Sequence, residues 1–295
     1  MSRDIQFIDR ASGNLITETV MGDGALRFAY NTLLGSCLSG LLFNTSFLSG
    51  LLGKYYDSKL SRKAIKKLAA IPGCMPEEAE FAPDSYKTFN DFFTRRLKEG
   101  MRPYSSSPDV MCSPADGRLL VYENLTANSA VPVKGAQRSI SDLCRQAELP
   151  ENIAVAVVRL APVDYHRYHY PCDCVQDNEP VAVKGKYHSV NPIAFKRCPD
   201  VYTENTRQIT ELYSDVFGKL IYLEVGAFGV GSIVQTSCAG THAKMDEKGC
   251  FKFGGSTVIL VFDNSKVKFD DDLLKNSRNG YETKIRCGEQ LASRR

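Results

Sequence analysis

The sequence predicts an α+β protein in which an N-terminal helical region, residues 1–107, precedes a mainly antiparallel β-rich domain, residues 108–295. Before Pro108, apolar residues recur at helical spacing and in one long uncharged run. After Pro108, short β-branched runs are separated by Gly, Pro and Asn, as in antiparallel sheets. No Gly-rich phosphate loop joins a strand to a helix among these runs.

The composition is that of a folded globular protein with a sizeable core. Of the 295 residues, 43% are hydrophobic and 24% are charged. The net charge of +3 is too small to indicate nucleic acid, so no such partner is expected. The ten cysteines are irregularly spaced, and the N-terminus lacks the apolar stretch of a secretory signal. We therefore expect reduced thiols in the cytoplasmic compartment.

The first predicted elements are a hairpin and a pair of short helices. Residues 5–20 alternate between apolar and polar around Ser12-Gly13-Asn14, which is the pattern of a hairpin. Residues 28–53 contain no charged side chain, but Asn, Ser and Gly interrupt the apolar run. A spanning helix needs about 20 predominantly apolar residues, so two short amphipathic helices that divide near residues 44–46 fit this stretch better.

A basic helix follows, and apolar residues are interleaved with its cations. The cations are Lys54, Lys59, Arg62, Lys63, Lys66 and Lys67. An apolar surface beside a basic helix can lie on an anionic bilayer, so we expect the N-terminal helices to associate with a membrane. The alternative is a buried helical hairpin with a solvated basic face.

One further helix is predicted before the β-rich domain, from a capping pair at Thr88 and Asp91 to Gly100. The apolar residues that share one face of it are Phe89, Phe92, Phe93 and Leu97. The predicted strands of the β-rich domain are residues 118–122, 153–160, 181–187, 220–225, 232–236 and 257–262.

Three clusters hold the residues that could perform chemistry. Asp116 stands in a tight turn before a strand, and His166 and His169, two of four histidines, follow another strand. Ser256 follows Gly254-Gly255 and opens a third strand. Each cluster alone has an ordinary structural explanation, as a turn, a pair of structural histidines or a bulge. Together they supply an acid, an imidazole and a hydroxyl, which are the components of an activated nucleophile.

The surroundings of Ser256 differ from the Gly-x-Ser-x-Gly elbow of hydrolases. No glycine stands two positions after Ser256, and a strand rather than a helix follows it. Two preceding glycines allow the backbone to bend until the hydroxyl reaches the carbonyl of residue 255. Strain in that peptide bond would assist an N-to-O acyl shift.

In this order, the three clusters resemble the phosphatidylserine decarboxylase family, in which the serine of a Gly-Ser-Thr motif becomes a pyruvoyl prosthetic group. There are two departures: Gly254 stands where the family often has Leu, and residues 203–207 match an expected Asn-Glu-Arg-Asn segment loosely. The resemblance covers about residues 55–290 and includes residues 89–97, Arg102-Pro103, Lys134-Gly135, residues 189–192 and residues 226–233.

The resemblance implies that a precursor cleaves itself between Gly255 and Ser256. His169, oriented by Asp116, would act as the general base on the Ser256 hydroxyl. The resulting ester would break by elimination, leaving a pyruvoyl group in place of Ser256. This covalent pyruvate is the cofactor that the family implies, and no metal is expected.

The activity implied is that of a carboxy-lyase of phospholipid biosynthesis. Phosphatidylserine in an anionic membrane would form a Schiff base with the pyruvoyl group, lose carbon dioxide, be protonated by His166 and leave as phosphatidylethanolamine. The large chain (1–255) and the small chain (256–295) would stay associated, peripherally on the cytoplasmic side of the cell membrane. Oligomeric state stays open, with a homodimer as one alternative. The cations that could bind the phosphate, on charge alone, are Lys134, Arg197 and Arg207.

Three other functions fit parts of the sequence. A zinc site could use His166, His169, Cys172 and Cys174, but it leaves Asp116 unexplained. A serine hydrolase could use the same acid, imidazole and hydroxyl on a separate substrate. A membrane-binding module without enzymatic activity would need only the basic helix.

Overall fold

The computed structural model describes residues 5–19, 24, 46–131, 136–145, 147–195, 198–227, 233–254 and 256–295. In these residues, short helices accompany three sheets in which nearly every strand pair is antiparallel. The α+β class with mostly antiparallel sheets is therefore confirmed. The predicted association of the N-terminal helices with a membrane stays a prediction, as does the domain boundary after residue 107.

The helices of the described residues are all short. They are α1 (Ser46–Tyr56), α2 (Arg62–Ala69), α3 (Phe89–Phe93), α4 (Ile140–Cys144), α5 (Pro192–Phe195), α6 (Val201–Glu204) and α7 (Asp271–Arg278). Turns of 3₁₀ helix lie at Lys59–Ser61, Pro76–Glu78 and Pro83–Ser85. Within the described ranges, none of these helices has the length and apolar character that a membrane span requires. Most of the uncharged stretch, residues 28–45, lies outside the described residues.

The strands of the largest sheet come from both ends of the chain. In spatial order they are β12 (Gly240–His242), β7 (Cys174–Gln176), β9 (Arg207–Ser214), β10 (Gly218–Gly226), β14 (Ser256–Asp263), β5 (Ile153–Leu160), β4 (Gly117–Leu125), β16 (Glu282–Ile285), β1 (Gln6–Asp9) and β2 (Leu15–Thr17), with β8 (Val181–Val183) also paired to β9. Two three-stranded sheets have the orders β11 (Ile233–Gln235), β13 (Glu247–Phe251), β6 (Arg167–His169) and β15 (Val267–Phe269), β17 (Gln290–Arg294), β3 (Val110–Cys112).

The predicted N-terminal hairpin is confirmed, since β1 and β2 pair antiparallel on either side of a turn at Gly13. The capping pair of Thr88 and Asp91 is also present at the start of α3. However, the helix that was predicted to reach Gly100 ends at Phe93. The chain continues extended, and Leu97 forms a bridge with Ala79.

Strand β14 lies at the centre of the largest sheet, between β10 and β5. Ser256, its first residue, is opposite Gly226 of β10 and Leu160 of β5. Apolar side chains cover both faces of these strands, so β14 is buried along almost its whole length. A strand that is buried on both faces is typically a continuous β-branched and apolar run, as residues 257–262 are.

A third apolar cluster lies between α2, α3 and the loop after β5. Ile65 and Leu68 of α2 pack there against Phe89, Phe92 and Phe93 of α3. The apolar side of α2 is thus used inside the protein. Its cations face outward, because Arg62, Lys63, Lys66 and Lys67 are exposed.

One ion pair lies fully inside the protein, between the largest sheet and the sheet of β13. The Lys248 ammonium is 2.5 Å from a carboxylate oxygen of Glu224, and both side chains are inaccessible to solvent. The ammonium also donates to Thr210 and Gln235, each at 3.0 Å. Removing one partner would leave the other charge buried without compensation.

We therefore expect Lys248→Met to lower the free energy of unfolding by about 3–5 kcal/mol, because it leaves the Glu224 carboxylate unpaired. Urea unfolding at pH 7 measures this change. The control is the double variant Glu224→Met/Lys248→Met, which should recover most of the loss. A single variant that loses under about 1 kcal/mol would contradict the prediction.

Candidate active site

Asp116 lies in the turn that leads into β4, and it is almost completely buried. Its carboxylate accepts two hydrogen bonds from Arg102, at 2.8 and 2.6 Å, and one from the backbone N–H of Cys287 at 2.8 Å. Arg102 also donates to Glu78 at 2.8 Å. The residue after Asp116 must be small, because a Cβ on Gly117 would be 2.7 Å from the carbonyl oxygen of Arg159.

His169, at the end of β6, has a partner on each ring nitrogen. Nδ1 is 2.9 Å from the carbonyl oxygen of Met245, and Nε2 is 3.2 Å from the Tyr165 hydroxyl. Burial lowers the pKa of the imidazole, although the Met245 carbonyl and the charges of Glu247 and Asp116 act in the opposite direction. Asp116 thus acts on His169 through its charge, while Met245 and Tyr165 hold the ring.

His166 is enclosed by aromatic and backbone groups. Nδ1 is 2.9 Å from the carbonyl oxygen of Asp164, and the ring centre lies 3.8 Å from that of Phe93. Nε2 is buried and has no hydrogen-bond partner among the described residues. Burial lowers the pKa of His166 to about 3, so the imidazole is neutral at physiological pH.

Ser256 has a fully buried side chain, and its hydroxyl has no hydrogen-bond partner among the described residues. Gly255 lies outside those residues. Gly254 has a φ of +151°, a conformation that favours glycine, although the family often has Leu at this position. The turn before Ser256 is held by Asn90, whose amide oxygen accepts from the Phe253 N–H at 3.0 Å.

An aromatic cluster joins His166 to this turn. The Phe93 ring contacts both the His166 ring and the Phe253 ring, whose centre is 5.2 Å away. The backbone of His166 also accepts from the Phe251 N–H at 2.9 Å. The buried aromatic cluster thus joins the segments of His166 and Ser256, whose Nε2 and Oγ atoms have no hydrogen-bond partner among the described residues.

His169 lines a cavity of about 510 Å³. The cavity is open to solvent and has a basic rim in which Arg96 and Lys98 are exposed. Its lining residues are Arg96, Leu97, Lys98, Gly100, Met101, Arg102, Tyr104, Tyr165, His169, Thr236, Met245 and Glu247.

Arg207, one candidate for the lipid phosphate, has a structural role instead. Its buried guanidinium donates to the carbonyl oxygens of Leu143, Thr203, Asn205 and Asp142. These bonds use its donors within the fold, so this candidate was wrong. Lys134 and Arg197 lie outside the described residues.

Two residues of the alternative zinc site, His169 and Cys172, are poorly suited to bind a metal ion in this structure. Both nitrogens of His169 have partners, and burial raises the pKa of the Cys172 thiol to about 12, which disfavours the thiolate that zinc requires. In the described part of the chain, no group of three His, Cys, Asp or Glu side chains is arranged to hold a metal ion.

Comparison with known proteins identifies the family. The model of the family described as phosphatidylserine decarboxylase matches residues 89–293. This chain belongs to the phosphatidylserine decarboxylase family. The family that the motifs predicted is thus confirmed, and the match includes Asp116, His166, His169 and Ser256.

Curated relatives of the decarboxylase family match over nearly their full length. The phosphatidylserine decarboxylase proenzyme of Clostridium botulinum (strain 657 / Type Ba4) is 40% identical over 99% of this chain and 100% of its own length. That of Clostridium novyi (strain NT) is 39% identical over 94% and 95%, and that of Chlamydia caviae is 40% identical over 98% of both chains.

The buried, neutral His166 predicts a specific dependence of stability on pH. An unfolded histidine binds a proton below about pH 6.5, whereas the folded one stays neutral to about pH 3, so stability is lost as pH falls between these values. In a Ser256→Ala background, the free energy of unfolding should fall as the pH is lowered from about 7 to about 5. His166→Phe should make this fall smaller by about 2 kcal/mol. Urea unfolding at both pH values measures it, and equal losses with and without His166 would contradict the assignment.

Proposed function

We propose that this chain is a precursor that cuts itself between Gly255 and Ser256 and then decarboxylates phosphatidylserine. The observation that supports this most directly is the Ser256 hydroxyl, which is buried at the start of the central strand and has no hydrogen-bond partner in the part of the chain that the structure describes. Such a group costs about 1–3 kcal/mol, so it is better explained by reactivity than by stability. The relatives described above are named proenzymes, which agrees with a cut precursor.

The cut proceeds by transfer of the Gly255 acyl group. The Ser256 hydroxyl loses its proton to a base and attacks the Gly255 carbonyl, and the peptide nitrogen leaves as an amine, which gives an ester. Removal of the Cα proton of residue 256 then expels the Gly255 carboxylate. The remaining unsaturated residue takes up water and releases ammonia, which leaves a pyruvoyl group at the start of the small chain.

His169 serves as the base in this proposal, and Asp116 supports it. A base must be neutral before it acts, and the lowered pKa of His169 keeps it neutral near pH 7. The Asp116 charge favours the imidazolium that forms when the proton arrives, and Arg102 keeps that carboxylate in place with two hydrogen bonds.

The surroundings of residue 256 fit a pyruvoyl group. Gly226 and Leu160 lie opposite this residue and leave its polar atom without a competing partner among the described residues. A pyruvoyl group supplies a ketone that condenses with the substrate amine and accepts the electron pair freed when carbon dioxide leaves.

His166 moves the proton during turnover. With Nδ1 donating to the Asp164 carbonyl, Nε2 is a buried acceptor, and no described residue donates a hydrogen bond to it. The substrate arrives as an ammonium and must lose a proton before its amine can react. The bound substrate carries negative charge, and a negative charge beside a buried imidazole favours its protonated form. In this proposal His166 Nε2 therefore takes this proton and returns it to the carbon that has lost carbon dioxide.

The two products of the cut stay together in this proposal. The small chain, residues 256–295, begins with β14, whose register runs from Ser256 to Asp263 along β5 and to Phe262 along β10. A cut before the first residue of β14 leaves both ladders intact.

Intact-mass measurement of purified protein tests the cut. Wild-type protein should give two chains, with a ketone at the start of the smaller one, whereas Ser256→Ala should give one chain and no activity. The control is Ser214→Ala, which removes another buried serine hydroxyl and should be cut normally. An active protein that stays one chain would instead favour the hydrolase alternative. In the same assay His169→Ala should stay uncut, while His166→Ala should be cut but inactive.

We also propose that α1, α2 and the preceding residues hold the enzyme on an anionic membrane, on the cytoplasmic side. Leu60 is 77% exposed and Leu51 is 49% exposed, so apolar side chains protrude beside the basic surface. A groove of about 600 Å³ contains Leu60 between the cations of α2 and its preceding turn. Cations attract phosphatidylserine headgroups, and the protruding leucines enter the headgroup region.

Flotation with vesicles tests this surface. Each cation near an anionic bilayer contributes about 1 kcal/mol, so Lys63→Glu/Lys67→Glu should weaken binding at least about ten-fold. The measurement uses the Ser256→Ala protein, which leaves the lipid unchanged, and vesicles with and without phosphatidylserine. Lys268→Glu/Lys275→Glu, with the same charge change at two exposed lysines elsewhere, is the control. Equal flotation of both variants would contradict the proposal.

A further inference from the structure

Tyr165 contacts the atom of His169 on which the proposed chemistry depends. The Met245 carbonyl can only accept a hydrogen bond, so Nδ1 of His169 holds the proton and donates it. In a neutral imidazole, Nε2 is then the acceptor. The Tyr165 hydroxyl, 3.2 Å away, therefore donates to Nε2.

Tyr165 is itself fixed on several sides. Its ring is buried and stacks on the His169 ring, with ring centres 5.8 Å apart and an angle of 26° between the planes. The guanidinium of Arg102 lies 5.9 Å from the Tyr165 ring centre. The preceding residue, Asp164, is held by Arg118 at 2.7 and 2.6 Å and by the Ala161 N–H at 2.6 Å.

Three charged residues near His169 affect its protonation. Asp116 and Glu247 favour the protonated imidazole, whereas Arg167 disfavours it. Arg102 lies beyond Tyr165 and is paired with Asp116. Burial raises the pKa of Tyr165 well above its usual value, so its hydroxyl stays a donor at physiological pH.

We propose that Tyr165 is a positioning residue for His169, whose hydroxyl fixes the imidazole ring and competes with a proton for Nε2. The proposal rests on the function proposed above. One hydrogen bond from Nδ1 leaves the ring free to tilt about that contact, and the second bond removes this freedom. Because the Tyr165 hydroxyl donates to the lone pair of Nε2, it also lowers the tendency of His169 to take up a proton.

The first experiment follows the titration of His169 by nitrogen-15 NMR in the uncut Ser256→Ala precursor. Removing a hydrogen bond to the neutral imidazole favours the protonated form, so Tyr165→Phe should raise the midpoint by about half a unit to one unit. The conservative change to 3-fluorotyrosine keeps the shape and makes a stronger donor, so it should lower the midpoint.

The matched control is Tyr168→Phe. Tyr168 is a buried tyrosine of the same segment, and its hydroxyl also makes a 3.2 Å hydrogen bond, but to the carbonyl oxygen of Val234. It should leave the His169 midpoint unchanged. Because Phe keeps the ring in both variants, we expect both to fold, and their NMR spectra report this directly.

The second experiment measures self-cleavage of freshly translated precursor between about pH 5 and pH 8.5. Tyr165→Phe should shift the acid limb of the pH–rate profile to higher pH, by the same amount by which it raises the titration midpoint of His169. It should also slow the plateau rate at least about five-fold, because the ring orientation is lost. The 3-fluorotyrosine protein should keep the plateau rate, and Tyr168→Phe should stay within about two-fold of wild type.

The proposal requires both a shifted His169 midpoint and a changed pH profile of self-cleavage in Tyr165→Phe. A His169 midpoint that is the same in Tyr165→Phe and Tyr168→Phe overturns the proposal, and so does a shifted midpoint with an unchanged cleavage profile. The titration needs no cleavage. If wild-type precursor were never cut, the proposed function would fail, while the titration would still report whether Tyr165 controls His169.

Discussion

The position of β14 between β10 and β5 is the constraint on which the rest of the structure depends. Pairing with β10 and β5 on both sides fixes Ser256 relative to the whole sheet, so the residues proposed to act on it must come from other segments. The segment after β5 contains both histidines, because Leu160 lies opposite Ser256 and the chain continues from it to His166 and His169 within nine residues. The serine proposed to react and the two histidines are therefore connected through the pairing of β14 with β5.

Burial around His166 and His169 affects the protonation of both imidazoles. The aromatic rings of Phe93 and Phe253 close the surroundings of His166 on one side, and His166 is neutral there because burial disfavours its charged form. His169 lines the cavity and has the carboxylates of Glu247 and Asp116 nearby, so burial lowers its pKa less strongly. Burial thus affects the pKa values of two histidines only three residues apart to different degrees, which agrees with the two roles proposed for them.

The sequence was sufficient for features that depend on local pattern. The hairpin at Gly13, the cap at Thr88 and the strands that became β5 and β14 follow from alternation, turn residues and apolar runs. It was insufficient for partners set by packing. The pairing of Arg102 with Asp116 and that of Glu224 with Lys248 join distant segments, and an extended pairing of Leu97 overrides the helical pattern before Gly100. Arg207 was misjudged because charge alone does not reveal carbonyl partners.

Two contacts with acidic side chains affect how the protein refolds after the proposed cut. They are the hydrogen bond from the Cys287 N–H to Asp116 and the ion pair of Arg286 with Glu78. The proposed cut places Cys287 and Arg286 on one product and both acids on the other. Neither product alone contains both the two acids and all the groups that bind them. Once the connecting backbone is gone, renaturation becomes a second-order encounter between fragments, whereas the newly made precursor folds as one chain. Such a protein assembles its catalytic centre efficiently only the first time it folds.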